Sequence, residues 1–472
     1  MRDGMRNGQA VDPFDGDWVD GFLLAGQGDE VCLWLDAPVT RGGLATRVGA
    51  RAAELRAAGL GPGGTVSLRL PPGMTYVVNL LAAWRVGAQV SLLDHRLTDY
   101  EVEQALSRIR PQLVVSQPAG PPPGQAEPPA VVTPYDGERA ATPHVLLQLS
   151  SGSTGPSKVI GRTAADLRGE VLRYRKIDGT PQPGERVVLL SSMVHVLGLV
   201  GGLLDCLHTG VRLVVPRALS TDAVLAAIAA GTEPTTVIGV PFHIEFLTVG
   251  RRRAELPRLK RMTVGGELVR PTVRRAFLER YQVPLGVMYG MTEVGVIATD
   301  LHGEHLPALT PAPDMTLREE AGELLLAMPD SPYAGLIDST RWVGGWLHTR
   351  DAGTVDPGSG RVTVHGRLDS QVSVGGLKVD LTEVEQALVE LPGVTEVVVG
   401  HDRAIEAFVV LADAYTASDL KRAIAQRLAP YKRPRRINVL DKLPRTATGK
   451  LVRDLPRLRR VAGGTPRSRA RR

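Results

Sequence analysis

Nine residues, Ser150–Lys158, read SSGSTGPSK: two glycines, one proline, five small hydroxyl residues and a closing lysine, a little after the apolar run VLLQL begins. A loop with so little side-chain bulk and one terminal cation is suited to letting backbone N–H groups and hydroxyls approach a phosphate. Hydrolytic nucleotide loops follow G-x-x-x-x-G-K-[ST], with the lysine directly after the second glycine and a magnesium-holding hydroxyl after it. Here Gly152, Gly155 and Lys158 give G-x-x-G-x-x-K, and Val159 follows. That spacing disfavours the hydrolase form. The apolar flanks VLLQL and VIG disfavour a linker. What survives is a phosphate cradle made by Ser150, Ser151, Gly152, Ser153, Thr154, Gly155 and Lys158.

Four later stretches bear on the same chemistry: MYGMTEVG (288–295), GWLHTRDAG (345–353), GRLDSQVSVGGLKVDLTEVE (366–385) and LPRTATGK (443–450). Taken singly they say little. Glu293 suits a helix N-terminus, Asp351 suits a turn, and Lys450 reads as a surface lysine. All five in this order resemble the adenylate-forming superfamily of acyl- and aryl-CoA synthetases, peptide-synthetase adenylation domains and luciferases, over about Val31 to Asp454. The resemblance implies ATP and Mg²⁺ as cofactors, with Ser150–Lys158 over the β- and γ-phosphates. It places Tyr289 and Gly290 at the adenine, Thr292 at the α-phosphate, Glu293 at Mg²⁺, and Asp351 with Arg367 at the ribose. Lys450 would bridge the carboxylate and the α-phosphate. Attack of a carboxylate on a phosphate brings two anions together, so cations and in-line positioning are the catalysis such a site needs. A compact ammonium answers that need differently from a guanidinium, and the chain has only eight lysines beside 48 arginines.

The resemblance also implies an acid pocket lined by His195, Val196, Val240, Pro241, Phe242, Gly265, Gly266, Met291, Val294, Gly295 and Val296, with His195 at its gate. Val196 and Leu197 stand where amino-acid-activating relatives carry an aspartate. A neutral aryl or medium-length acyl acid is therefore expected. A second half-reaction would follow rotation about a hinge at Asp369, which brings the Gly375–Gly376 loop forward to admit a pantetheine arm. The expected acceptor is CoA, with the phosphopantetheine of an acidic carrier protein, or amide formation, as the alternatives. The basic run Lys432, Arg433, Arg435 and Arg436 is a candidate to meet a CoA phosphate or an acidic carrier helix, or else a solvated face. Two features depart from the pattern. Arg350 replaces the glycine of Thr-Gly-Asp and adds bulk and charge beside the nucleotide, and the segment from Val296 to Arg341 is short.

These residues need elements to hold them. Strand-like TVSLRL, helical MTYVVNLLAAWRVGA and strand-like AQVSLLD alternate early, and Thr98 with Glu101 has capping-box spacing. RVVLLSS, VRLVVP, TTVIGVP, RMTVGG and LGVMYG continue the strands between the helical runs TDAVLAAIAAG and VRPTVRRAFLERY. The expected fold is α/β, a large body with doubly wound sheets (1–368) followed by a small α+β domain (369–455). Eight prolines make 117–143 a surface loop. From Arg341 on, short strands with tight Gly/Asp turns are expected. Thr382 with Glu385 is expected to cap the helix LTEVEQALVEL.

Composition removes several alternatives. Two cysteines in apolar runs argue against a disulfide scaffold or a cysteine-ligated metal. The net charge is +6, but 456–472 holds seven arginines and no acid, leaving the rest near −1. That tail is expected to be disordered and solvated, and no nucleic-acid partner is expected. The polar N-terminus and the lack of a long apolar run imply a cytoplasmic protein, a monomer or homodimer.

Overall fold

The computed structural model describes the chain apart from residues 1–4, 7–8, 11, 36, 118–128, 151–157, 249–254, 335–339, 369, 413–414, 445–450 and 465–472, and of 5–6, 9–10, 150 and 464 it describes the backbone only. Two compact units emerge. The larger takes residues 1–95, 106–150 and 158–368, and the smaller takes 96–105 and the chain after 368.

Within the larger unit, one six-stranded sheet runs Lys158–Arg162, Leu146–Ser150, Gln89–Leu92, Thr65–Arg69, Leu113–Ser116, Val131–Pro134. Its four inner strands are parallel and its two edges antiparallel. Inner strands of this kind are covered on both faces, and Val66, Leu68, Val90 and Val115 are all buried. Val131–Pro134 lies inside the proline-rich stretch expected to be loop. The sheet accepts it because an edge strand tolerates a proline that an inner strand could not.

The second sheet has fourteen strands among the described residues. Val31–Trp34, Arg212–Val214, Arg186–Leu189, Thr235–Gly239, Leu259–Gly265 and Leu285–Met291 are parallel in that order. Beyond Leu285–Met291 the ladder turns antiparallel through Gly295–Asp300, Ala308–Pro311, Val362–Arg367, Trp346–Val355 and Glu323–Ala327. The reversal happens across the turn carrying Thr292 and Glu293. The strands after Arg341 thus extend the body's own sheet, and Trp346–Val355 is ten residues long.

The smaller unit is α+β. A hairpin (Gln371–Val374 with Leu377–Asp380) leads into the helix Leu381–Val389. Three strands follow, Val394–His401, Ile405–Leu411 and Arg436–Val439, with the helix Ala417–Arg427 between the last two. Gly375 and Gly376, at φ +58° and +83°, form the two-residue turn of the hairpin, a conformation that favours glycine. Asp380, not Thr382, caps the helix: its carboxylate accepts from Thr382 N at 2.7 Å. Glu385 instead accepts from Val399 N and both Arg453 guanidinium nitrogens.

The arginine-rich end departs from expectation over Leu455–Gly464, which is helical. Leu458 is buried, and Arg459 bonds Glu406 at 2.6 Å and Asp402 at 3.2 Å, so acids on the adjoining strand and turn hold the helix down. Two of the four residues of the basic run are likewise engaged. Lys432 is buried against Glu383 at 2.8 Å, and Arg433 donates to the Ala425 and Leu428 carbonyls.

One acid sits uncomfortably in the larger core. Asp205 opens the helix Asp205–Thr209 with no exposed surface, and its nearest cation, Arg175, is 3.7 Å away. Burial pushes its carboxyl up to about 7, which Arg175 only partly opposes. The folded state therefore holds a proton that the unfolded state releases near pH 4, and stability falls as pH rises from there to about 7. Asp205→Asn should abolish that fall. Thermal unfolding should show the variant more stable than wild type by up to about 4 kcal/mol at pH 8, with the gap narrowing steadily toward pH 5.

Candidate active site

The strand Leu285–Met291 and the turn after it deliver Tyr289, Thr292 and Glu293 to one end of the second sheet. The backbone there is crowded. A Cβ on Gly290 would lie 2.5 Å from the Gly295 carbonyl oxygen, and one on Gly295, at φ +85°, would run into the Glu170 carboxylate. Glu170 is itself buried against Arg162 at 2.7 Å, and Arg173 donates to the Val294 carbonyl at 3.0 Å. The helix Ala164–Arg175 therefore braces the turn. Gly295 fits that brace.

Asp351 and Arg367 are direct cross-strand partners in the ladder between Trp346–Val355 and Val362–Arg367. Arg367 Nη1 reaches Asp351 Oδ1 at 3.0 Å, and the Tyr289 hydroxyl donates to Oδ2 at 2.7 Å. Thr349 shapes the approach: its Oγ1 accepts from Asp351 N and donates to the Leu324 carbonyl. Burial and the Asp351 carboxylate push the Tyr289 phenol well up, so it stays a donor.

Glu293 has an equivalent set of partners, none of them apparent from sequence. Tyr333 donates to its Oε1 at 3.1 Å, and Arg341 Nη2 stands 3.7 Å from the same oxygen. All three residues are buried. Burial works against the Arg341 charge, but Glu293 and the Tyr333 oxygen outweigh it and hold the guanidinium above its ordinary value. Tyr333 arrives by pairing with the strand Lys158–Arg162. It forms a bridge with Ile160, while Gly161 N donates to the Pro332 carbonyl and Ala334 N to that of Val159. The Lys158 ammonium lies over the Tyr333 ring, 5.7 Å from its centroid. Lys158 pairs across the hairpin with Ser150. Ser151, Gly152, Ser153, Thr154 and Gly155 fall outside the described residues, as do Asp369 and Lys450. The ends of the Lys450 segment are tied in the smaller unit, where Val452 N donates to the Pro444 carbonyl and Arg453 is clamped on Glu385.

Arg350 takes a left-handed conformation, φ +60°, that glycine would adopt freely. Its N–H donates to Glu323 Oε1 at 2.8 Å and its Nη2 to the Thr340 carbonyl at 3.0 Å. The expected bulk beside the nucleotide is thus directed to Glu323 and to the residue before Arg341.

Around the expected acid pocket, Gly265 ends its strand with the Met288 carbonyl oxygen 2.8 Å and Leu197 3.4 Å from where a Cβ would lie, and Gly266 follows at φ +90°. Leu197 packs with Met288 and Val296. His195 precedes the short helical turn at Val196. Pro241 is buried at the start of its helix, while Phe242 is half exposed. Met291 and Val294 pack on the cluster holding Ile160 and Tyr333.

An oxygen donor such as Glu293 suits a hard cation. Among the described residues no group of three or more His, Cys, Asp or Glu could hold a metal. A magnesium ion on Glu293 would take its other oxygens from phosphates and water, as that ion commonly does.

Gly295→Ala tests the brace. It should lower stability by about 1–3 kcal/mol and weaken ATP binding, because the new methyl must displace Glu170. Gly360→Ala, also at positive φ but facing open space, should show only the backbone penalty of about 1 kcal/mol and normal ATP binding in calorimetry.

Comparison with known proteins supplies the family. Residues 24–325 match the AMP-binding enzyme family and 383–450 match the AMP-binding enzyme C-terminal domain. A feruloyl-CoA synthase of Amycolatopsis is 28% identical over 87% of this chain and 91% of its own length. A benzoate–CoA ligase of Thauera aromatica is 30% identical over 66% of this chain and 65% of its own. Among solved structures, an o-succinylbenzoate CoA synthetase of Bacillus subtilis superimposes with a TM-score of 0.77 at 22% identity, over 90% of this chain and 95% of that one, a likeness of fold. No helix among the described residues is long and apolar enough to cross a membrane. The chain belongs to the AMP-binding enzymes of the adenylate-forming superfamily.

Proposed function

We propose that the chain activates a neutral aryl or medium-length acyl acid with ATP, forming an acyl-adenylate and pyrophosphate, and then passes the acyl group to the thiol of CoA. The observation that carries this reading is the pair of buried carboxylates, Asp351 and Glu293, each held by a phenol and a guanidinium, with Tyr289 and Glu293 both supplied by the Leu285–Met291 strand and the turn after it. Relatives named for feruloyl, benzoate and p-hydroxybenzoate substrates favour an aryl acid, and the small apolar surface around Gly265 and Leu197 is compatible with one.

Asp351 would take the ribose hydroxyls on the lone pairs that Tyr289 and Arg367 leave free. Thr292 would orient the α-phosphate, and Lys158 would hold the phosphates that depart. Glu293 would hold magnesium, which supplies charge neutralisation along the triphosphate. The acid's carboxylate oxygen attacks the α-phosphorus as the bond to pyrophosphate breaks. Lys450 would steady both anions in that step. The thiolate of CoA then attacks the acyl carbon, AMP leaves, and a thioester remains. Gly375 and Gly376, with no side chain, would allow the pantetheine arm close passage.

The test is acid-dependent exchange of pyrophosphate into ATP across a panel of aryl and acyl acids, followed by thioester detection with CoA or a carrier protein. Exchange with a neutral aryl or acyl acid and a CoA thioester are expected. Exchange with no acid on the panel contradicts the adenylation, and transfer only to carrier protein or an amine contradicts the acceptor. Lys450→Ala should lose exchange by a factor of about 100 or more while still forming thioester from supplied acyl-adenylate.

A further inference from the structure

Asp351 and Glu293 are held by the same kinds of group, but not equally firmly. Arg367 closes on Asp351 at 3.0 Å, whereas Arg341 stands 3.7 Å from Glu293, with the Tyr333 hydroxyl set between them, 3.1 Å from the carboxylate and 3.5 Å from Arg341 Nε. The looser pair sits where the carboxylate is needed for another cation. Arg341 is anchored by its backbone, its carbonyl accepting from His348 N at 2.8 Å, and the preceding carbonyl is held by Arg350. The backbone of the segment is therefore held independently of the guanidinium.

Charge decides what can displace it. Glu293, Arg341 and Lys158 together carry one net positive charge around the Tyr333 ring. A divalent ion arriving alone would raise that to three positive charges in a buried site, with a guanidinium against the metal's own ligand. A triphosphate arriving with the metal reverses the sign and offers Arg341 new anionic oxygens, to which a guanidinium binds strongly.

We propose that Arg341 is the resident cation of Glu293 and a further nucleotide-binding residue: it excludes divalent metal from the empty site and moves to the phosphates when metal and ATP arrive together. This rests on the reading of Glu293 as a metal-binding residue. The protein is in effect protected from taking up metal in the absence of its nucleotide, and metal and ATP raise each other's affinity reciprocally.

Mn²⁺ binding, followed by electron paramagnetic resonance on the full chain, tests this without turnover. Nucleotide-free wild type should bind Mn²⁺ at least about tenfold more weakly than nucleotide-free Arg341→Gln, whereas Arg341→Lys, which keeps the charge, should behave as wild type. Calorimetry with a non-hydrolysable ATP analogue, with and without Mn²⁺, in wild type and Glu293→Gln, tests the underlying reading separately. If Mn²⁺ tightens analogue binding in wild type but not in Glu293→Gln, while Arg341→Gln leaves nucleotide-free Mn²⁺ affinity unchanged, the proposal fails and the reading of Glu293 stands. If Glu293→Gln leaves that tightening intact, both fail. Should Arg341→Gln not fold, the wild type decides. A Glu293-dependent Mn²⁺ site as tight without nucleotide as with it overturns the proposal, and its absence without nucleotide supports it.

Discussion

A buried carboxylate is tolerated only where donors and cations replace the water it has lost, and this site buries two. Asp351 is held by Tyr289 and Arg367, and Glu293 by Tyr333 and Arg341. The surrounding architecture follows from assembling those two sets. The switch from parallel to antiparallel pairing at Met291–Gly295 lets one strand and its turn supply both Tyr289 and Glu293. Antiparallel register then sets Asp351 opposite Arg367, and the strand Lys158–Arg162 brings Tyr333 in through Ile160. Removing either guanidinium would leave an acid uncompensated, so the geometry is fixed by electrostatics as much as by apolar packing.

Much of this was legible in the sequence, for identifiable reasons. Tyr289, Glu293, Asp351 and Arg367 lie in compact stretches whose order carries information, and alternating apolar segments gave the α/β body. Tyr333 and Arg341 were not legible, because they lie in a stretch without a motif and reach Glu293 only through long-range pairing. The helix cap was misassigned because Asp380 and Thr382 are both good capping residues two positions apart, and only the backbone decides between them. The edge strand Val131–Pro134 was hidden by prolines that exclude an inner strand but not an outer one. The helix Leu455–Gly464 was hidden by its charge, since the acids that neutralise Arg459 are some fifty residues earlier.

Arg350 joins these levels. A non-glycine residue at φ +60° carries a backbone penalty of order 1 kcal/mol. Here it is offset by contacts a glycine could not make: Arg350 reaches both Glu323 and the Thr340 carbonyl. The departure from Thr-Gly-Asp thus ties the strand carrying Asp351 to the segment that presents Arg341, and links the two carboxylates through a short run of covalent and hydrogen bonds.

The central proposal is that the two ends of the site do different work, with Asp351 gripping the nucleoside and Lys158 the phosphates beyond the first. Calorimetric titration of ATP and AMP into wild type, Lys158→Met and Asp351→Asn tests it directly. Lys158→Met should weaken ATP by about tenfold or more and leave AMP within about twofold, whereas Asp351→Asn should weaken both by a similar factor. Equal loss of ATP and AMP in Lys158→Met, or unchanged AMP binding in Asp351→Asn, would contradict the account.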